Sequence, residues 1–162
     1  MTNPVTIDAP AGLPFVEFVR EFDAPVEAIF RAHREPDLVA QWLGPRGYEM
    51  RIDHWDFVSG GSYDYVHRDP ARGAEFGFRG TFHTVREPEI AIQTFEFDGA
   101  PDAVSLESMT FERLEGGRTR MRGHAVYPSV EVRDAMVEHG WEEGVVDSYE
   151  RLDEVVAALV VA

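Results

Sequence analysis

The stretch from Ser129 to Ala162, SVEVRDAMVEHGWEEGVVDSYERLDEVVAALVVA, restricts the fold more than any other part of the chain. Ser129 follows Pro128, and acidic Glu131 falls in the turn after it, a helix-start signature. Val137, Trp141, Val145, Ser148, Leu152, Val155 and Leu159 recur at steps of three or four. That spacing puts them on one side of a long helix starting near Ser129. The other side is charged and mostly acidic. Such a helix needs an apolar partner surface, because tertiary packing rather than propensity holds amphipathic helices in water.

The partner must be a sheet, since most of the preceding chain reads as strands. Phe15–Phe22 (FVEFVREF) alternates apolar and polar residues. Asp23-Ala24-Pro25 reads as a helix start with Asp23 as its cap, and Val26, Ile29 and Phe30 as the apolar face of a short helix ending near His33. A second short helix is expected over Pro36–Leu43, stopped by Gly44-Pro45. Strands follow at 48–58, 62–68, 75–86, 90–97, 104–114 and 118–127, separated by turns such as Gly60-Gly61, Asp69-Pro70 and Gly116-Gly117. Short turns between successive strands mean an antiparallel meander. The expected fold is α+β: a curved antiparallel sheet of six to seven strands wrapped around a long C-terminal helix, with two short helices after the first strand. Residues 15–162 are expected to form this single domain, and residues 1–14 a flexible N-terminal arm.

Composition excludes several chemistries. With 162 residues, 44% of them hydrophobic and 11 of them Phe, the chain is large enough for one substantial core. Cysteine is absent, which removes disulfides, thiol nucleophiles and zinc–thiolate sites. All 15 basic residues are Arg, so Schiff-base and Walker-type lysine chemistry are excluded. The net charge of −15 opposes nucleic acid and anionic membrane surfaces. No run approaches the ~18 apolar residues of a membrane span, and the first residues have no signal-peptide pattern. A cytoplasmic protein that neither binds nucleic acid nor inserts in a membrane is expected. The oligomeric state is not specified, and a homodimer is compatible with the sequence.

Three segments resemble a known family: REFDAPVEAIFRAHREPDLVAQWLGPRG (Arg20–Gly47), FRGTFHTVREPEIAIQTFEFDG (Phe78–Gly99), and LEGGRTRMRGHAVYPS with HGWEEGVVDSYERLDEVV (Leu114–Val156). Their order and spacing resemble the START/Bet v 1-like (SRPBCC) superfamily. Within it they are most similar to bacterial proteins related to the C-terminal domain of the activator of heat-shock protein 90 ATPase. The resemblance spans roughly residues 15–160 and implies the helix-grip fold, in agreement with the strand and helix pattern. It also implies a cavity under the long helix that takes lipids, sterols, polyketides or other hydrophobic molecules. Some members of the superfamily are cyclases or aromatases.

No His, Asp or Glu grouping has metal-ligand spacing, and no Ser sits in a nucleophile elbow. No metal or organic cofactor is expected. His33 and His67 read as structural residues, the latter at a strand end. Polar residues within strands (Arg79, His83, Glu96 and Glu107) are either solvated or the few polar groups of an apolar cavity. Register alone decides between the two, and one bulge reverses the answer. Tyr63, Tyr65, Met109, Met121 and Trp141 are the large side chains expected to wall the cavity. The Trp141 ring is expected between helix and sheet. Gly140 and Gly144 lie one turn apart in the helical stretch, where they mark a bend, a close approach or room for a ligand. The expectation is a binder of a small hydrophobic or aromatic molecule. A cyclase-like enzyme or a protein-interaction module is the alternative.

Overall fold

The computed structural model describes residues 3–161. Eight strands form one antiparallel sheet: β1 (Thr6–Asp8), β2 (Phe15–Phe22), β3 (Glu49–Trp55), β4 (Ser62–Arg68), β5 (Glu75–Arg86), β6 (Ile90–Phe97), β7 (Ser105–Leu114) and β8 (Arg118–Val126). Their spatial order is β1-β2-β8-β7-β6-β5-β4-β3. From β3 to β8 this is the expected meander. Pairing of β2 with β8, from Phe15↔Val126 to Phe22↔Thr119, brings the first long strand beside the last. Helices α1 (Val26–Arg34) and α2 (Pro36–Trp42) occupy the connection between β2 and β3, and α3 (Val130–Glu138) and α4 (Trp141–Val161) end the chain.

Alternation along the strands separates an inner face from a charged outer one. On β8, Thr119, Met121 and Ala125 are buried while Arg122 is exposed. The outer face carries cross-strand ion pairs: Arg118 to Glu21 at 2.9 Å, Arg120 to Glu112 at 3.2 Å, and Arg79 to Glu96 at 2.9 Å. Exposed pairs of this kind contribute at most about 1 kcal/mol each. The inner face packs against α1, α2 and α4 through Phe22, Ile29, Phe30, Phe82, Met121, Leu152 and Val156, all essentially inaccessible.

Three expectations change in detail. The sheet has eight strands instead of six or seven, because Thr6–Asp8, within the expected arm, pairs along β2 (Thr6↔Val19, Ile7↔Phe18). Asp23 does not cap α1; Pro25 holds the cap position without a side-chain bond, and Asp23 accepts from Arg118 Nε at 2.8 Å. Ser129 does cap, accepting the Val132 amide at 3.2 Å. The C-terminal helix is two helices, because Gly140 adopts φ +86° after the His139 C-cap. A left-handed residue just past a C-cap ends a helix, and glycine takes that conformation without a Cβ clash. The step from Val137 to Trp141 fits a continuous helix equally well, so the apolar period bridges the break.

Polar clasps hold α4 over the sheet. Arg20, on β2 and almost fully buried, donates to the Tyr149 carbonyl at 3.0 Å and to Asp153 at 2.6 Å. On the other side, the Gly44 amide donates to Ser148 Oγ at 2.8 Å, and Arg151 donates to the Gly44 and Gln41 carbonyls at 3.0 and 2.9 Å. The loop after α2 can approach closely because residue 44 is glycine: a Cβ there would overlap the His67 ring.

Candidate functional site

A cavity of about 420 Å³ lies between the inner face of the sheet and the helices. Strands β4 to β7 supply Tyr63, Tyr65, Phe78, Gln93, Phe95, Glu107 and Met109; α4 supplies Trp141, Gly144, Val145 and Tyr149. His33, Trp42, Gly44 and Pro45 border it from the α1–α2 region, and Met136 and His139 from α3.

Aromatic faces dominate the walls. Tyr65 stacks on Phe78 with ring centroids 5.2 Å apart, and Trp42 on Tyr149 at 5.9 Å. Two of the three tryptophans in the lining, Trp42 and Trp55, bond their polar edges to α1. Trp42 Nε1 donates to the Ala32 carbonyl at 2.9 Å and Trp55 Nε1 to the His33 carbonyl at 3.1 Å. Both carbonyls belong to the last turn of α1, where helices leave acceptors unpaired. These two rings are therefore fixed at their polar edges.

The polar part is small and connected. Glu107 Oε1 accepts from Gln93 Nε2 at 3.2 Å. The same nitrogen lies 3.4 Å from the Tyr63 hydroxyl, which donates to the Thr94 carbonyl at 2.6 Å. Burial raises the Glu107 pKa to about 7, an effect the Gln93 hydrogen bond only partly opposes. Among the described residues no arginine pairs with this carboxyl. Burial, and secondarily the Glu107 charge, push the phenols of Tyr65, Tyr127 and Tyr149 up as well. Burial lowers His33 to about 4; its Nδ1 donates to the Ile29 carbonyl at 2.8 Å, and its Nε2 has no partner among the described residues. His67 is likewise lowered to about 4, by burial and then by Arg151, and its Nδ1 lacks a partner.

Of the side chains singled out in the sequence, Tyr63, Tyr65, Glu107, Met109 and Trp141 meet at this cavity. The other four do not. Arg79 and Glu96 pair on the outer face. His83 is exposed, its Nδ1 within 2.8 Å of Thr84 Oγ1. Met121 is wholly buried in the core beside Phe111 and lines no cavity. Strand parity explains the split on β6: Gln93 and Phe95 face inward, so Glu96 must face out. Gln93 and Tyr149 lay outside the sequence reading, and His33 and His67, read there as structural, border the cavity. For Gln93 a signal existed, a lone amide two residues from Phe95 in an apolar strand. For the histidines none did, because only the folded chain shows that His33 and His67 border one space. Trp141 is half-buried, packed against the small cluster of Val16, Ala125 and Tyr127 rather than fully enclosed between helix and sheet.

Among the described residues no group of three or more His, Asp or Glu side chains is placed to hold a metal ion, and no helix is long and apolar enough to cross a membrane. The fold is shared with solved bacterial proteins. A Rhodobacter sphaeroides protein is 27% identical, with a TM-score of 0.85 over 95% of this chain and 99% of its own. One from Arthrobacter aurescens is 26% identical, with a TM-score of 0.85 over 94% and 91%. An AHSA1 protein from Silicibacter pomeroyi, 23% identical, shares the fold with a TM-score of 0.72 over 89% and 98%. Among proteins with curated descriptions, no match was found. The profile of the Activator of Hsp90 ATPase homolog 1-like family matches residues 23–157. The chain belongs to that family, and through it to the START/Bet v 1-like (SRPBCC) superfamily.

Proposed function

We propose that the protein binds a small, largely apolar and aromatic molecule in the cavity beneath α4. The observation that carries this reading is a partly open cavity of about 420 Å³ walled by aromatic faces, with a connected polar group at Glu107, Gln93 and Tyr63. A pocket of that size, apolar with few convergent polar groups, is the form small-molecule sites take. Affinity comes from buried ligand surface, about 25 cal/mol per Å² of apolar area before ordering costs. The polar trio sets orientation.

Gly144 supplies the test. A Cβ built there meets nothing within 4 Å, yet the residue lines the cavity. A side chain at 144 therefore projects into ligand space without displacing a protein neighbour. A thermal-shift screen of flavonoids, polyketides, sterols and fatty acids should find ligands that raise the melting temperature by mass action. Gly144→Phe should abolish those shifts while the unliganded protein melts no lower. Ligands that bind Gly144→Phe as well as the parent would place binding elsewhere.

A further inference from the structure

Glu107 poses a problem that the protein does not solve internally. A carboxyl enclosed by aromatic and aliphatic groups is stable only if it stays protonated or gains a cationic partner. Gln93 gives it one hydrogen bond, and among the described residues the arginines make their ion pairs elsewhere. The nearest solution in the lining would be an arginine or lysine, and none lines the cavity.

The rest of the lining is also matched to positive charge. Tyr63 and Tyr65 stack at 5.9 Å, and Trp55 lies 5.4 Å from Tyr63, presenting π faces of the kind that attract cations. The indole donors of Trp42 and Trp55 and the Gln93 amide are already engaged. The whole molecule carries a net charge of −15, which raises the local concentration of cations around it. Resting on the reading that the cavity binds a small apolar molecule, we propose that this ligand carries a basic nitrogen, held as an ammonium between the Glu107 carboxylate and the surrounding aromatic faces. The ligand class is thus hydrophobic aromatic amines.

Three probes of one shape and different charge test this: 1-naphthylmethylamine, 1-naphthalenemethanol and 1-naphthoate, titrated calorimetrically near neutral pH and physiological ionic strength. The expected result is at least tenfold tighter binding of the amine than the alcohol, with the naphthoate weakest. In Glu107→Gln the amine-to-alcohol ratio should fall to near one, and Gly144→Phe should bind none of the three. Equal affinity for amine and alcohol, or a preference for the naphthoate, would overturn the inference and leave the cavity reading standing. A preference that persists in Glu107→Gln, or amine binding retained by Gly144→Phe, would also overturn it, since the cation would then be held elsewhere. Failure of all three probes to bind would overturn the inference, and would remove the cavity reading with it only if the screen of flavonoids, polyketides, sterols and fatty acids also found no ligand.

Discussion

At the scale of the residue, Glu107 shows how little of a site's chemistry lies in residue type. Glu96 lies between Phe95 and Phe97 on β6, and Glu107 lies beside Leu106 on β7. Glu96 accepts from Arg79 and from the Asp102 amide on the outer face, and its pKa is lowered. Glu107, facing in, has its pKa raised to about 7. The pairing of β6 with β7 is regular, with Gln93 opposite Glu107, so strand parity puts Glu107 on the inner face with Gln93 and Phe95 and leaves Glu96 on the outer one. The raised value has a consequence for stability. Between the ordinary glutamate value of 4.5 and about 7, the folded state holds a proton that the unfolded state has lost. The contribution of Glu107 is therefore fully present below pH 4.5 and is lost as pH rises to 7, at about 1.4 kcal/mol per pH unit for one full proton. His33 and His67 act in the opposite sense: lowered from 6.5 to about 4, they remain neutral when folded and lose stability as pH falls through that interval. Total stability mixes these effects, so the useful quantity is the difference between the parent and Glu107→Gln. Denaturant melts from pH 4.5 to 7.5 should show the parent's advantage shrinking with pH and then levelling. Parallel curves would mean that Glu107 is solvated.

At the scale of the element, strands were the most legible part of the chain. The bounds of β2, β4, β5 and β6 match the alternation residue for residue, because Gly, Pro and Asp punctuate both ends. The break between α3 and α4 was not legible as a break, although both glycines drew notice. Their roles differ, and substitution should separate them. Gly140 has φ +86°, where an L-residue is strained; Gly144 sits in ordinary helix facing open space. Gly140→Ala should lower stability by about 1 kcal/mol or more. Gly144→Ala should raise it by up to about 1 kcal/mol, the helix-propensity difference. Chemical denaturation of the two variants side by side checks the sign. Equal effects would contradict the assignment of Gly140 as the helix stop.

At the scale of the whole molecule, the cavity exists because α4 is held off the sheet at fixed height. Much of what holds it is polar and distant in sequence, and so was invisible to patterning: nothing in FVEFVREF marks Arg20 as buried, yet its guanidinium lies over the Phe22 ring, 4.7 Å from the centroid. It ties β2 to the middle of α4 through the Tyr149 carbonyl and Asp153, while Ser148 and Arg151 fasten the same helix to the loop after α2. The two clasps grip opposite sides of the segment that carries Tyr149, a cavity wall. Hydrophobic contacts at Leu152 and Val156 supply burial energy, but they are non-directional and do not by themselves fix the helix's height or rotation. Removing the guanidinium from Arg20 should therefore cost more than a surface pair would. Asp153 is partly exposed and can be resolvated, which limits the penalty on that side. Arg20→Ala is expected to destabilise by about 2–4 kcal/mol, from lost buried hydrogen bonds and packing. Asp153→Ala should cost less, and the double variant should be less destabilised than the sum, by about 1 kcal/mol or more of coupling. Arg20→Lys should not restore the loss, because a single ammonium cannot reach carbonyl and carboxylate in the same fork geometry. A double-mutant cycle by urea unfolding measures each term. Strict additivity would mean that Arg20 and Asp153 do not act as one clasp, leaving the position of α4 to its apolar contacts and to the Ser148 and Arg151 bonds.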